Sequence, residues 1–314
     1  MKNKSKLTGV ILCAGKGTRI KKLPFKKPKT LLEVFGEPII VNQLRHMNKI
    51  GIRDVFIVVG KRGEETKKKI KEYNNFEMNI KFVKDHNPKG IGHSLYKLRN
   101  KVSSPMLVFL GDIFFINLSM KKMIKNFFEK KCSCIIGCIM DNNISNVKKN
   151  FTVELKKNMD VKRVVEKPKS PMTNLKGIGV YLFDKKIFSA INLHSKKNRS
   201  SDIGITEPIQ ILIDTKKKVR SSLCAKKDIN INEPKDLFDI NMQLLKIKKK
   251  KNFISKSVSL GKNTKIINSI IGENVKIPNN QVIKNSVIFS NVKIAMDKIL
   301  KSNIVTTYGK LKIK

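Results

Sequence analysis

The sequence predicts an α/β protein with a mainly parallel sheet and helices on both of its faces, followed by a short repeat region. Three observations predict this. Short apolar runs at Val10-Ile11-Leu12, 54–59 and 106–110 read as buried strands. Helical spacings lie between them, as at 38–50, where Ile39, Ile40, Leu44, Met47 and Ile50 share a face. From about Ser257, aliphatic residues recur about every six positions.

The first strand opens into a loop carrying Ala14, Gly15 and Gly17, whose backbone N–H groups suit an anion. Thr18 adds a hydroxyl, Arg19 a planar fork for two phosphate oxygens, and Lys29 a mobile point charge beside Pro28. A second strand over 54–60, a charged helix over 64–73 and a third strand over 80–83 follow. This alternation implies a Rossmann-like sheet with ligands at the carboxyl ends of its strands. Asn87-Pro88-Lys89-Gly90-Ile91-Gly92 is a second glycine loop opening a helix. The strand at 106–110 ends in Gly111-Asp112, a carboxylate placed to hold a metal ion on a phosphate. A strand over 132–140 and a hairpin over 151–155 and 161–165 lead to Glu166-Lys167-Pro168. There the carboxylate can bind sugar hydroxyls and the ammonium a phosphate. A strand over 177–183 and a helix headed by Thr206 complete this part.

Leu260, Ile266, Ile271, Ile277, Ile283, Ile288 and Ile294 carry the terminal repeat. It resembles the hexapeptide repeat of a left-handed parallel β-helix, in which each short strand buries one aliphatic residue. The lysine-rich run 246–251 marks the join, so the expected domains are 1–245 and 253–314.

With 314 residues, 40% of them apolar, the chain can bury a substantial core. Its net charge of +43 comes mainly from lysines spread through every segment, with 6% aromatic residues and no Trp to stack bases. This reads as a solvated cationic surface that attracts nucleotides and sugar phosphates rather than as a nucleic-acid interface. Five cysteines without neighbouring histidines suit a reducing cytoplasm. No signal peptide or membrane span is expected.

The stretch 9–19 with Pro28-Lys29 resembles the signature of the sugar-1-phosphate nucleotidyltransferases. The segments Gly63-Glu64-Glu65, 90–95, Glu166-Lys167-Pro168-Lys169 and 206–214, together with the terminal repeats, are similar to long-form glucose-1-phosphate thymidylyltransferases. The resemblance implies transfer of a nucleotidyl group from a nucleoside triphosphate, dTTP or UTP, to glucose 1-phosphate with Mg²⁺, by a homo-oligomer. It implies that Arg19 and Lys29 hold the triphosphate and leaving pyrophosphate, and that Lys167 holds the sugar phosphate. Asp112 would bind Mg²⁺, and Leu12, Ala14, Gly15, Gly17, Thr18, Asp85 and Gly90 would surround the nucleotide. Glu166, Thr152, Gly179 and Thr206 would line the sugar.

Several positions depart from the family pattern. The second metal aspartate falls on Asn230, for which Asp228 could substitute by a register shift; the pyrimidine-reading Gln falls on Asp85; the Phe-Gly before the sugar is Phe151-Thr152; and Ile113 follows Asp112. Two other readings follow: a regulatory relative that binds nucleotide sugar without turnover, and a basic nucleic-acid-binding protein.

Overall fold

The computed structural model describes residues 7–15, 20, 22–73, 76–102, 105–197, 202–295 and 299–313. The chain forms two compact units, one of residues 1–16 and 43–228, the other of 17–42 and 229–314. This division differs from a single cut near residue 245, because segment 17–42 goes with the C-terminal strands.

The first unit is built on a nine-stranded sheet. Its spine runs Val161–Glu166, Phe151–Leu155, Leu175–Phe183, Met106–Leu110, Thr8–Cys13, Asp54–Val59, Asn79–Lys84; Cys134–Met140 branches from Leu175–Phe183, and Val219–Leu223 pairs with Cys134–Met140. Thr8–Cys13 is parallel to both its neighbours, and Asp54–Val59 is parallel to Asn79–Lys84. Leu175–Phe183 instead runs antiparallel to Met106–Leu110, Cys134–Met140 and Phe151–Leu155, so the sheet is mixed. The hairpin at 151–166 has to be antiparallel because its turn is too short for a crossover.

Central strands buried on both faces explain the continuous apolar runs. Val10, Leu12, Val58 and Val108 join a core with Leu95, Ile187, Ile191, Ile209 and Leu212 from helices on one face. Ile11, Ile57 and Phe109 are equally buried. On that side Gly9 admits the helix Ile39–Lys49, since a Cβ at Gly9 would stand 2.7 Å from the Met47 sulfur.

In the second unit, helix Pro234–Ile247 starts with Asp236 accepting from the Asn232 and Glu233 N–H groups. Beyond it, short strands form three sheets with parallel registers such as Phe253↔Ile270↔Val287↔Ile304 and Lys265↔Val282↔Ile299, the first ending in an antiparallel strand, Gly309–Lys312. Each coil therefore advances 17 residues, one fewer than three hexapeptides, because one side has five. Asn263, Asn268, Asn274, Asn280, Asn285 and Asn291 turn the corners with positive φ, and their amides bond to one another at that 17-residue interval. Ile271, Ile277, Ile283 and Ile288 are buried as expected. Leu260 is 52% exposed, because its strand has a coil on one side only. Ile266 and Ile294 are half-buried.

The coils pack on segment 22–42 of the same unit. Phe25 meets Phe289 edge-on at 5.7 Å, and Phe35 lies 4.4 Å from Phe253. The buried Glu33 carboxylate accepts from both the backbone and the hydroxyl of Ser290, at 2.9 and 3.0 Å.

Candidate active site

Thr8–Cys13 lies between strands reached by connections to opposite sides, the place where sheets of this kind bind ligands beyond their carboxyl ends. Leu12 and Ala14 are buried there, and Gly15 is exposed, with nothing within 4 Å of where a Cβ would lie. Gly17, Thr18 and Arg19 lie outside the described residues.

Gly111 donates its N–H to the Leu12 carbonyl at 2.9 Å. A Cβ at 111 would stand 2.3 Å from the Cys13 sulfur, so only glycine lets this strand end approach the loop. Asp112, half-buried, follows at once. Burial pushes the Cys13 thiol up, and the Asp112 carboxylate pushes it further.

In the second unit, Lys29 sits in a single turn of 3₁₀ helix, Lys29–Leu31, after Pro28. Its Nζ donates to Oδ1 of Asn230 at 3.3 Å. Asp228 does not stand in as an open ligand. Its side chain is 3% exposed, and Oδ1 lies 2.8 Å from the Nζ of Lys176.

On the sugar side, Glu166 is exposed and accepts from the Thr206 hydroxyl at 2.8 Å. Lys167 has φ of 43°, a left-handed conformation that a lysine adopts only when its surroundings impose it. Its N–H donates to the Asn150 carbonyl at 2.8 Å, and the next residue, Pro168, is buried. Thr152, expected at the sugar, is 1% exposed and pairs with Val165 and Lys176 in the sheet, so its side chain lies inside the protein. Gly179 has φ of 73°, and a Cβ there would stand 2.6 Å from Ile113. Its glycine character thus has a packing cause.

Asp85, expected to read the base, is also 1% exposed. Ser94 donates to its Oδ2 at 2.8 Å, with His93 Nδ1 3.3 Å from the same oxygen and Lys97 Nζ 3.7 Å from Oδ1. The carboxylate therefore ties the strand end to the helix Ile91–Tyr96. Gly90, with φ of 90°, presses that loop on the Ile203 backbone, where a Cβ would come within 2.2 Å of the carbonyl oxygen. The loop thereby braces the chain just before Thr206.

Sequence reasoning missed Lys176 and its carboxylates. The available signal was a lysine inside the otherwise apolar strand Leu175–Phe183, since a lysine buried there must find counter-charges.

The family described as nucleotidyl transferase matches residues 8–247. A bifunctional sugar-1-phosphate nucleotidylyltransferase/acetyltransferase of Sulfurisphaera tokodaii is 30% identical over 203 residues, covering 64% of this chain and 47% of the relative. UTP–glucose-1-phosphate uridylyltransferase AglF of Haloferax volcanii is 25% identical over 240 residues, covering 76% and 96%. Among solved structures, a UDP-glucose pyrophosphorylase complexed with UDP-glucose superposes with a TM-score of 0.66 at 19% identity, covering 76% of this chain and 98% of that one, a likeness of fold. The chain spans about half the length of the first curated relatives it matches.

Proposed function

Because the chain belongs to the nucleotidyl transferase family, we propose that it transfers a nucleotidyl group from dTTP or UTP to a sugar 1-phosphate, glucose 1-phosphate first, releasing pyrophosphate. The observation that carries this is the close approach of Gly111, and with it Asp112, to the end of the central strand, where Gly111 donates to the Leu12 carbonyl at 2.9 Å.

The sugar phosphate oxygen attacks the α-phosphorus in line, so no side-chain nucleophile is required. The protein's part is positioning and charge neutralisation. Lys29, with Arg19, holds the triphosphate and the leaving pyrophosphate, and Lys167 holds the sugar phosphate. Glu166, oriented by the Thr206 hydroxyl, accepts from sugar hydroxyls. Gly15 leaves room for backbone to approach the phosphates.

A hard divalent cation such as Mg²⁺ would be held by the Asp112 carboxylate. Asn230 turns its oxygen to Lys29, and Asp228 faces Lys176. Such a cation, when bound, offsets the repulsion between the two reacting phosphates. We also read the C-terminal coils as left-handed, the protein as a cytoplasmic homo-oligomer, and its cationic surface as serving no specific nucleic acid. Among the described residues, no helix is long and apolar enough to cross a membrane.

The test is pyrophosphate release across a panel of nucleoside triphosphates and sugar 1-phosphates with Mg²⁺. Release with a pyrimidine triphosphate and glucose 1-phosphate is expected. Binding of nucleotide sugar with no release from any pair would favour a regulatory, non-catalytic relative, a reading that the Asn230 to Lys29 bond supports.

A further inference from the structure

We propose that Lys176 is an internal counter-cation: its ammonium fills a cation site made by Asp141 and Asp228, and so keeps Asp228 from binding metal. The Nζ lies 2.8 Å from Asp228 Oδ1 and 3.2 Å from Asp141 Oδ2. All three side chains are withdrawn from water, at 5% exposure for the lysine, 3% for Asp228 and 16% for Asp141.

Three separate segments of the first unit build this site. Lys176 comes from Leu175–Phe183, and Asp141 follows Cys134–Met140, whose Ile139 pairs with Lys176. Asp141 is fixed by its N–H donating to the Asn174 carbonyl at 3.0 Å. Asp228 follows Lys226, whose N–H bonds at 3.0 Å to Ile116, the last residue of the strand Ile113–Ile116 that begins directly after Asp112. The triad therefore adjoins the strand that begins after Asp112.

Two carboxylates converging in a poorly solvated place repel each other and require a proton or a cation between them. A buried ammonium likewise persists only against such partners. Asp228 Oδ1 makes no hydrogen bond of ordinary geometry and is held by the ion contact. A divalent cation would have to displace an ammonium tethered in place, whose effective concentration no free ion matches. The consequence for metal use rests on the nucleotidyl-transfer reading, whereas the site itself does not. A cation at Asp112 gains no second carboxylate from Asp228 and has to arrive with the triphosphate.

The experiment is Mn²⁺ binding to nucleotide-free protein by titration calorimetry. Wild type is expected to show no site tighter than about 1 mM, the weak end for oxygen-ligand sites. Lys176→Ala is expected to gain one site at least tenfold tighter and to lose it again when Asp228→Asn is added. A folded Lys176→Ala that gains no site would overturn the proposal. So would a wild-type Mn²⁺ site that disappears in Asp228→Asn. Should Lys176→Ala not fold, Asp228→Asn alone decides. Unchanged Mn²⁺-nucleotide affinity supports the proposal, and a tenfold loss overturns it. Failure of every substrate pair to release pyrophosphate would sink the functional reading and leave this binding result standing.

Discussion

The ammonium of Lys29 donates a hydrogen bond to the amide oxygen of Asn230 at 3.3 Å. That hydrogen bond fixes the direction of the lysine side chain. Lys29→Ala is expected to lower kcat/KM by about 10²- to 10³-fold, the scale of losing one charged transition-state contact. Asn230→Ala, which removes one hydrogen bond to a charged group, should cost about tenfold. Pyrophosphate release measures both, and unchanged thermal unfolding separates them from misfolding.

The Thr206 hydroxyl holds Glu166 in the same manner on the sugar side. Thr206→Val should raise KM for the sugar 1-phosphate by about tenfold, from the loss of one hydrogen bond to a carboxylate. KM for the nucleotide should stay put, and Thr206→Ser should restore the wild-type value. A rise in both KM values would remove this role from the hydroxyl.

Gly177 carries a stability prediction. A Cβ there would fall 1.9 Å from the ring of Phe151, which stacks on Tyr181 at 6.3 Å, and Tyr181 on Phe183 at 5.4 Å. Overpacking a filled core costs about 1–3 kcal/mol. Gly177→Ala should lower the denaturant midpoint accordingly.

The buried thiols predict alkaline sensitivity. Burial pushes the Cys224 thiol up to about 12 from its ordinary 9.0, against a partly opposing backbone hydrogen bond. Between these values the folded state binds the proton and the unfolded state does not, so stability falls as pH rises. This contribution is fully present below pH 9.0 and lost as pH climbs to about 12. Cys224→Ala should flatten that decline by about 1.4 kcal/mol per pH unit, one proton's worth. Denaturant unfolding at stepped alkaline pH reads the difference.

The parts legible in the sequence are those whose residue type reports a two-sided environment. Val10, Ile11, Val55 and Ile57 declare a central strand because both faces are apolar. The end of the strand Met106–Leu110 was legible because its apolar run stops at Gly111-Asp112. The inward turn of Thr152 and Asp85 was not legible, because alignment with a family motif fixes a backbone position and says nothing about which neighbours will claim the side chain. Ser94 and His93 claim Asp85. Lys176 went unnoticed because its counter-charges, Asp141 and Asp228, are distant in sequence. The antiparallel course of Leu175–Phe183 depends on its partners, which no local pattern names. The six-residue period exposed the coils, but the shorter side between Ile266 and Ile271 sets the advance at 17.

The seat of segment 22–42 on the C-terminal coils has a consequence for synthesis. Glu33 waits for Ser290, 257 residues downstream, and the Pro24 carbonyl waits for the hydroxyl of Thr306, 282 residues downstream. Contacts of such long sequence separation form late, after the loop between them has been closed. The strands of the first unit can assemble on the ribosome while Glu33 and Pro24 still lack these partners. A nascent chain would thus have its sheet before segment 22–42 is seated, and that seat would be complete only with the last coil.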